Sequence, residues 1–324
     1  MNAMDQDLIG RVLNLYYVDG LTQAQVGRRL GLSTPTVNRL LQQARQRGMV
    51  EITIHNPLQH ALDLEDRLMA SFGIEEVVVI PRITGVVNAL THTLGRAGAR
   101  YLLGHLRDGH TLAIGGGAGV HAVVQALDTS RAYNVKVAPA LGGVQGRATT
   151  DVNYLVAQLA EKLGGQAYRL HAPAFVDTGE QRDMLLSVGP IKEILDIARQ
   201  ADIALLGVGT VEPDESRFVE FTALSAGDMR RIAGTYGGAG EIGAYVYDLA
   251  GKPCAGEYAR RVVGLSLQEL ERIPLVIGVA ATAAKALPLY GALRGGYLQA
   301  LITDETAAEG VLQLHSQEQA RRAS

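Results

Sequence analysis

Residues 21 to 48, LTQAQVGRRLGLSTPTVNRLLQQARQRG, hold two short helical patterns that meet at a tight glycine turn, and the second leaves polar and basic side chains on its outer face. Thr22 stands where an N-cap belongs, Gln25 follows at capping-box spacing, and Val26 and Leu30 recur at helical intervals as a buried stripe. Gly31 turns the chain. Ser33 caps the next helix, Pro35 fits a first turn that needs no intrahelical N–H bond, and Val37, Leu40 and Leu41 supply the inner face. The outer face is then Thr34, Thr36, Asn38, Arg39, Gln42 and Arg45. Asn and Gln pair two-pronged with adenine, Arg pairs with guanine, and Thr touches a thymine methyl or a phosphate, all inside a major groove wide enough for one helix. A helix beginning at Ser33 also aims free N–H groups at a phosphate. The expected DNA-contacting set is Thr22, Gln23, Ser33, Thr34, Thr36, Asn38, Arg39, Gln42 and Arg45. An ordinary helical hairpin with a solvated face is the alternative, and the cap, turn and apolar spacing together favour the DNA reader. A preceding helix, Leu8 to Val18, offers Leu8, Val12 and Tyr16 for packing, and the alternation of Val50, Ile52 and Ile54 in Met49 to Ile54 reads as the strand of a short wing.

The chain has 324 residues and 47% hydrophobic content, enough for a small domain and a large one with a real core. Its net charge of −3 is unevenly spread, because the first fifty residues hold twice as many basic as acidic side chains while acids prevail in the remainder. One end is thereby suited to phosphates and the bulk repels them. The excess is modest, so useful affinity calls for two or more copies acting together. The lone Cys254 makes no intrachain disulfide, and no charged-then-apolar leader is read; both suit a reducing cytoplasm. The most apolar run, Ile273 to Leu293, contains Lys285 and Pro288 and is poor spanning material, so no membrane segment is expected.

The first domain is expected to span residues 1–56 and the second 57–324, with the boundary at Asn56-Pro57 and an amphipathic helix following at Ala61 to Phe72. Beyond it, apolar strands alternate with helical patterns: Val77 to Ile80, Leu112 to Ile114, Val135 to Ala138, Ile203 to Leu206, Leu275 to Val279 and Ala300 to Ile302. The fold class is α/β, a winged helix-turn-helix followed by a mainly parallel sheet wrapped by helices. Glycines fall just past strand ends, at Gly115, Gly116, Gly117 and Gly119, at Gly142 and Gly143, and at Gly207 and Gly209 before Thr210. In an open parallel sheet those ends gather on one edge, glycine permits close backbone approach, and helix N-termini attract anions. A pocket for something small, polar and phosphorylated follows. Gly117 to Ala122 matches the loose dinucleotide fingerprint, yet no acid ends the next strand, and the Walker pattern is absent; no cofactor, metal or catalytic residue is assigned. Lys285, the only charge between Ile273 and Leu293, either meets a ligand phosphate or snorkels to solvent, with Arg294 as a second cation. Glu241 accepts sugar hydroxyls or is a solvated turn acid, and Asp304 caps a helix.

In this order, Tyr17-Val18-Asp19-Gly20-Leu21-Thr22-Gln23, Gly207-Val208-Gly209-Thr210, Gly240-Glu241-Ile242, Leu293-Arg294-Gly295-Gly296-Tyr297 and Leu301-Ile302-Thr303-Asp304-Glu305 resemble the SorC family of sugar-responsive bacterial transcriptional regulators over essentially the whole chain. The resemblance implies an effector domain similar in fold to sugar-phosphate isomerases and glucosamine-phosphate deaminases, used for sensing, in homodimers or homotetramers. It implies operator DNA as one partner and a phosphorylated sugar, polyol or quorum signal as effector, with Glu241 on the sugar part and Lys285 and the glycine loops on the phosphate. The chain departs from the pattern in its polar-poor Gly115–Gly119 loop, in Ala244-Tyr245 after Glu241, and in Ala280-Ala281 where paired glycines often precede the lysine. Two other classes compete: an isomerase- or deaminase-type enzyme with a helical appendage, which would need a carboxylate base against the substrate carbon, and an adaptor whose helices bind protein.

Overall fold

The computed structural model describes residues 3–50, 59–83, 89–144, 148–212, 216 and 224–323. The chain divides into two compact units, Met1–Pro57 and Leu58–Ser324. In the first, α1 (Ala3–Leu13) runs into a single π-helical turn, Asn14–Val18, and is followed by α2 (Gln23–Leu30) and α3 (Thr34–Gln46). The capping box of α2 is closed, with the Gln25 amide donating to Thr22 Oγ1 at 3.3 Å and the Thr22 amide donating to Gln25 Oε1 at 2.8 Å. Gly31 ends α2 at φ 69°, a left-handed value that a side chain would strain. Gly27 is needed for a different reason, since a Cβ there would stand 2.6 Å from the Leu32 carbonyl oxygen.

Val12, Val26, Val37 and Leu41 form the small core of this unit, with Tyr16 and Leu40 packed beside them. Ile9 rather than Leu8 is the other fully covered side chain of α1, because the rotation that sinks Val12 carries the residue three positions before it inward as well. The wing strand expected at Met49 to Ile54 falls on 51–54, outside the described residues; Met49 itself donates its amide to Ala44 O and closes the end of α3.

The second unit is a seven-stranded parallel sheet with helices packed against it. Its elements in chain order are α4 (Gln59–Phe72), β1 (Glu76–Ile80), α5 (Ala89–His105), β2 (Thr111–Ile114), α6 (Ala118–Ala126), β3 (Lys136–Pro139), α7 (Val152–Leu163), β4 (Gln166–Ala167), α8 (Gly179–Ser187), α9 (Gly189–Arg199) and β5 (Ile203–Gly207). The hairpin β6 (Gly238–Ile242) and β7 (Tyr245–Asp248) follows, then β8 (Leu275–Val279), α10 (Ala286–Arg294), β9 (Ala300–Asp304) and α11 (Glu305–Ala323), with one-turn helices between. The strand order is β1-β9-β8-β5-β2-β3-β4, every pairing in it parallel. Central strands such as β9 are buried along their whole length, which is why they read as unbroken apolar runs.

From β2 the chain steps outward to β3 and β4, then returns across to β5 and builds the other half through β8 and β9. The order therefore reverses between β2 and β5, and the loops leaving those two strands splay apart at their carboxyl ends, the place where open α/β sheets bind ligands. Close helix packing supports that edge: a Cβ on Gly95 of α5 would lie 2.3 Å from the Ala122 carbonyl oxygen of α6. Three strands were not expected from the sequence: β4 and both strands of the hairpin, β6 and β7. β4 is an exposed two-residue edge with no apolar signal, and β6 carries glycines that ordinarily weaken a strand; at Gly240 a Cβ would stand 2.5 Å from Pro288 Cβ, so the glycine is what lets the hairpin approach α10.

Candidate functional site

The DNA-reading unit presents Thr34, Asn38, Arg39, Gln42 and Arg45 of α3 as exposed side chains, while Thr36 and Gln23 are partly covered. Ser33 Oγ sits 2.7 Å from Thr36 Oγ1 and accepts the Thr36 amide at 3.3 Å, and Thr22 is engaged in its own cap. Thr22, Ser33 and Thr36 thus hold helix ends in place, whereas Asn38, Gln42 and Arg45 lie at i, i+4 and i+7 on a single stripe. Arg45 is not loose: its Nε donates to Tyr17 Oη at 2.9 Å.

In the second unit a cavity of about 600 Å³ opens at the carboxyl ends of β2, β5 and β8. Gly115, Gly116, Gly117, Gly119, Gly142, Gly207, Gly209, Thr210, Glu241 and Lys285 all line it, joined by Thr91, Thr150, Thr282 and the apolar Leu90, Leu94, Val208 and Val279. Gly143 does not line the cavity, contrary to expectation. Its amide donates to Ala172 O, its carbonyl accepts from Ala174, and the position where a Cβ would go faces Asp151 and Asn153; it stitches the loop after β3 to residues 172–174. Arg294 is also absent from the lining. Its guanidinium lies 5.7 Å from the Tyr290 ring centre and reaches Leu249 O, so it serves the far end of α10.

The glycine loops are not amide donors throughout. The amides of Gly115, Gly117, Gly142 and Gly209 donate to the carbonyls of Leu205, Thr150, Val263 and Glu241. Their glycines serve close approach: a Cβ on Gly119 would meet Val279 O at 3.0 Å and one on Gly116 would meet Thr150 O at 2.9 Å. The amides without intrahelical partners are those of the first turn of α6, whose N-cap Gly117 (φ 105°) offers no side-chain bond. A second helical start faces the same space, the 3₁₀ turn Ala283–Lys285 that leads into α10.

Glu241 is held by three contacts. Gly209 and Glu241 exchange backbone hydrogen bonds at 2.9 Å in both directions, fastening the β6–β7 hairpin to the loop after β5. Glu241 Oε2 accepts the Ala244 amide at 2.9 Å. Its Oε1 lies where a Cβ on Gly209 would be, 1.8 Å away, so only glycine lets the carboxylate rest on that loop. The side chain is sunk among protein atoms with one face on the cavity, and this burial raises its pKa above the ordinary carboxylate value, opposed by the Ala244 hydrogen bond and the positive field of Lys285. The acid expected in a turn thus sits on a strand, and the two-residue turn after it, Gly243-Ala244, has φ of 58° and 68°, the type I′ pattern of tight hairpins.

Asp304 does more than cap. Only 3% exposed, it accepts the Ala307 amide at the start of α11 and, at 2.8 Å, the Thr282 amide. Thr282 has φ 91°, a conformation that a β-branched residue adopts only under constraint, and the buried carboxylate supplies it. The sequence signal for this was the Asp304 that ends an apolar strand; nothing marked Thr282. Among the described residues no cluster of His, Cys, Asp or Glu is placed to hold a metal, and no helix is long and apolar enough to cross a membrane.

Residues 56–313 match the family described as "Putative sugar-binding domain", and residues 11–47 match sigma-70 region 4, a helix-turn-helix family. The chain is 30% identical over 315 residues to the transcriptional regulator LsrR of Klebsiella pneumoniae, covering 96% of this chain and 94% of that one. It is 28% identical to the erythritol catabolism regulatory protein EryD of Brucella abortus, covering 96% and 98%. The crystal structure of the full-length sorbitol operon regulator SorC of Klebsiella pneumoniae superimposes with a TM-score of 0.74 at 28% identity, over 96% of this chain and 100% of that one. A helix-turn-helix ahead of a sugar-binding sheet domain, matched end to end by named regulators, means that the chain belongs to the SorC family of sugar-binding transcriptional regulators and is not an enzyme.

Proposed function

We propose that the cavity binds a small phosphorylated sugar or polyol, with its phosphate against the first turn of α6 and Lys285 and its hydroxyls on Glu241, and that occupancy alters operator binding by α3. The observation that carries this reading is the meeting of Glu241 and Lys285 in one cavity across a glycine-lined floor. A carboxylate accepts paired hydroxyls, while an ammonium beside helix N-termini neutralises a phosphate. EryD and SorC, named for erythritol catabolism and a sorbitol operon, support a polyol-sized ligand.

On the DNA side, Asn38, Arg39 and Gln42 contact base edges, while Thr22, Gln23, Ser33, Thr34, Thr36 and Arg45 flank the groove. Two or four copies of the chain act together, because each contributes few phosphate contacts. A ligand shifts the DNA-binding equilibrium only by its different affinity for two quaternary arrangements. A thermal-shift screen of phosphorylated tetritols, pentitols and hexitols tests the reading, followed by titration of the best compound against protein bound to an operator fragment. Lys285→Ala is expected to abolish the shift, and an equal shift in that variant removes the lysine from the site. Arg39→Ala and Gln42→Ala are expected to weaken operator binding without loss of fold; unchanged affinity in both refutes the groove assignment.

A further inference from the structure

The π-helical turn Asn14–Val18 sets Tyr16 and Tyr17 side by side at the C-terminal end of α1. Such turns insert one extra residue into a helical register and recur at functional positions. Here the turn is fixed by the Asp19 amide donating to Asn14 O and the Leu21 amide donating to Leu15 O. Tyr16 packs toward the small core while Tyr17, 37% exposed, stands edge-on to it at 4.9 Å between ring centres. The Tyr17 hydroxyl then accepts the Nε–H of Arg45, twenty-eight residues away, and the guanidinium carbon sits 6.0 Å from the ring centre.

We propose that Tyr17 is a positioning residue for DNA binding, holding Arg45 as a clamp on a backbone phosphate beside the recognition helix. The inference rests on α3 being the helix that enters the groove. Arg45 continues the Asn38–Gln42 stripe into the last turn of α3, and recognition helices read bases with their N-terminal residues, so the last turn meets the strand backbone. A guanidinium has five donors, and the bond to Tyr17 engages Nε while its Nη1/Nη2 edge retains bidentate geometry for a phosphate. An exposed arginine otherwise loses much rotamer freedom on meeting a phosphate; held by Tyr17, part of that freedom is already gone.

The test uses full-length Tyr17→Phe, Arg45→Ala, the double variant and Gln42→Ala. Fluorescence anisotropy is read on a duplex selected from a random pool by the wild-type protein and on a scrambled duplex, across a salt series. Tyr17→Phe and Arg45→Ala are expected to lower affinity for both duplexes by the same factor, roughly three- to tenfold. Arg45→Ala should reduce the slope of log affinity against log salt by about 1 for each engaged copy, Tyr17→Phe should move the slope the same way, and the double variant should be no weaker than Arg45→Ala. Thermal unfolding should stay at the wild-type value in Tyr17→Phe. Wild-type affinity and slope in Tyr17→Phe, with Gln42→Ala still selectively weak on the chosen duplex, overturns the clamp and leaves the groove assignment standing. Additive losses in the double variant overturn it equally, and silence of both Tyr17→Phe and Gln42→Ala removes the groove assignment together with the clamp.

Discussion

Gly209→Ala isolates the Glu241 carboxylate from everything else in the pocket. The added methyl would stand 1.8 Å from Glu241 Oε1, 2.7 Å from Cδ and 3.0 Å from Cγ, so the side chain must leave its seat. The backbone bonds between residues 209 and 241 do not involve the methyl and persist. What is lost in the free protein is the Ala244 amide bond to Oε2, a charged hydrogen bond contributing about 1.5–3 kcal/mol. Two effects offset it: alanine narrows the unfolded ensemble by about 0.4–1 kcal/mol, and a carboxylate released toward water no longer bears its burial penalty. Folding stability is therefore expected to change by less than about 1.5 kcal/mol. Effector affinity responds differently, because a displaced carboxylate no longer meets the ligand hydroxyls. Loss of one charge-assisted pair weakens binding about 10- to 150-fold. Isothermal titration of wild type, Gly209→Ala, Glu241→Gln and the double variant with the best compound from the polyol-phosphate screen reads this directly. The double variant should be no weaker than the poorer single variant, since both changes act on one group. A Gly209→Ala dissociation constant within a factor of two of wild type would show that the ligand does not use Glu241 in its observed position.

Gly142→Ala is expected to act on folding instead: its methyl would press within 2.3 Å of Pro173 O and 2.6 Å of Ala172 O, both rigid backbone, and a cost of about 3 kcal/mol should lower Tm by roughly 6–12 °C in calorimetry. Glu241 has a folded pKa raised by burial above the ordinary 4.5, so the folded chain takes up this proton first as pH falls; the carboxylate costs stability near neutrality and the cost disappears as pH drops through the folded pKa. Glu241→Gln should accordingly raise Tm near neutral pH, with the gain shrinking toward pH 4.5, and a pH-independent difference would contradict the burial argument. Burial, assisted by Asp248, pushes the Cys254 thiol up to about 11, so alkylation by iodoacetamide at mildly alkaline pH should run roughly a hundredfold slower than for a free thiol, and rapid labelling would refute that environment.

The helix-turn-helix was legible because its signals are local: a capping box, a left-handed glycine and apolar residues at helical spacing all act within a few residues of one another. The core strands were legible for a similar reason, being buried on both faces and therefore apolar without a break. The hairpin at 238–248 was not, because its glycines make a poor strand in isolation: Gly240 is explained by Pro288, far away in sequence, and Gly238 by Ile232 and Val246 packed against it. Glu241 was singled out as a candidate and does line the cavity, while its setting was misread, since the acid lies on a strand clasped to Gly209. Gly143 was grouped with Gly142 by adjacency alone. Gly142 reaches the cavity with its backbone, while Gly143 is turned toward Asp151 and Asn153 and bonds to residues 172–174.

That same clasp bears on what the cavity can do to a bound sugar. Proton abstraction from a sugar carbon needs a base that is free to approach, to accept a proton and to pass it on, usually to a partner of opposite protonation state. Among the described cavity residues the only carboxylate is Glu241, and one of its oxygens is already committed to the Ala244 amide while the other lies flat on Gly209. Its neighbours Thr91, Thr150, Thr210 and Thr282 do not titrate in the range that acid–base catalysis uses, which leaves Lys285 as the other titratable side chain of the described lining. A carboxylate fixed in this way is a good hydrogen-bond acceptor and a poor shuttle. The loops around the cavity are tied to helix starts: Gly117 to α6, Thr282 through Asp304 to α11, and Glu241 through its hairpin to α10. On the proposed reading, a ligand selects between conformations through these helix attachments, which is what a regulator requires.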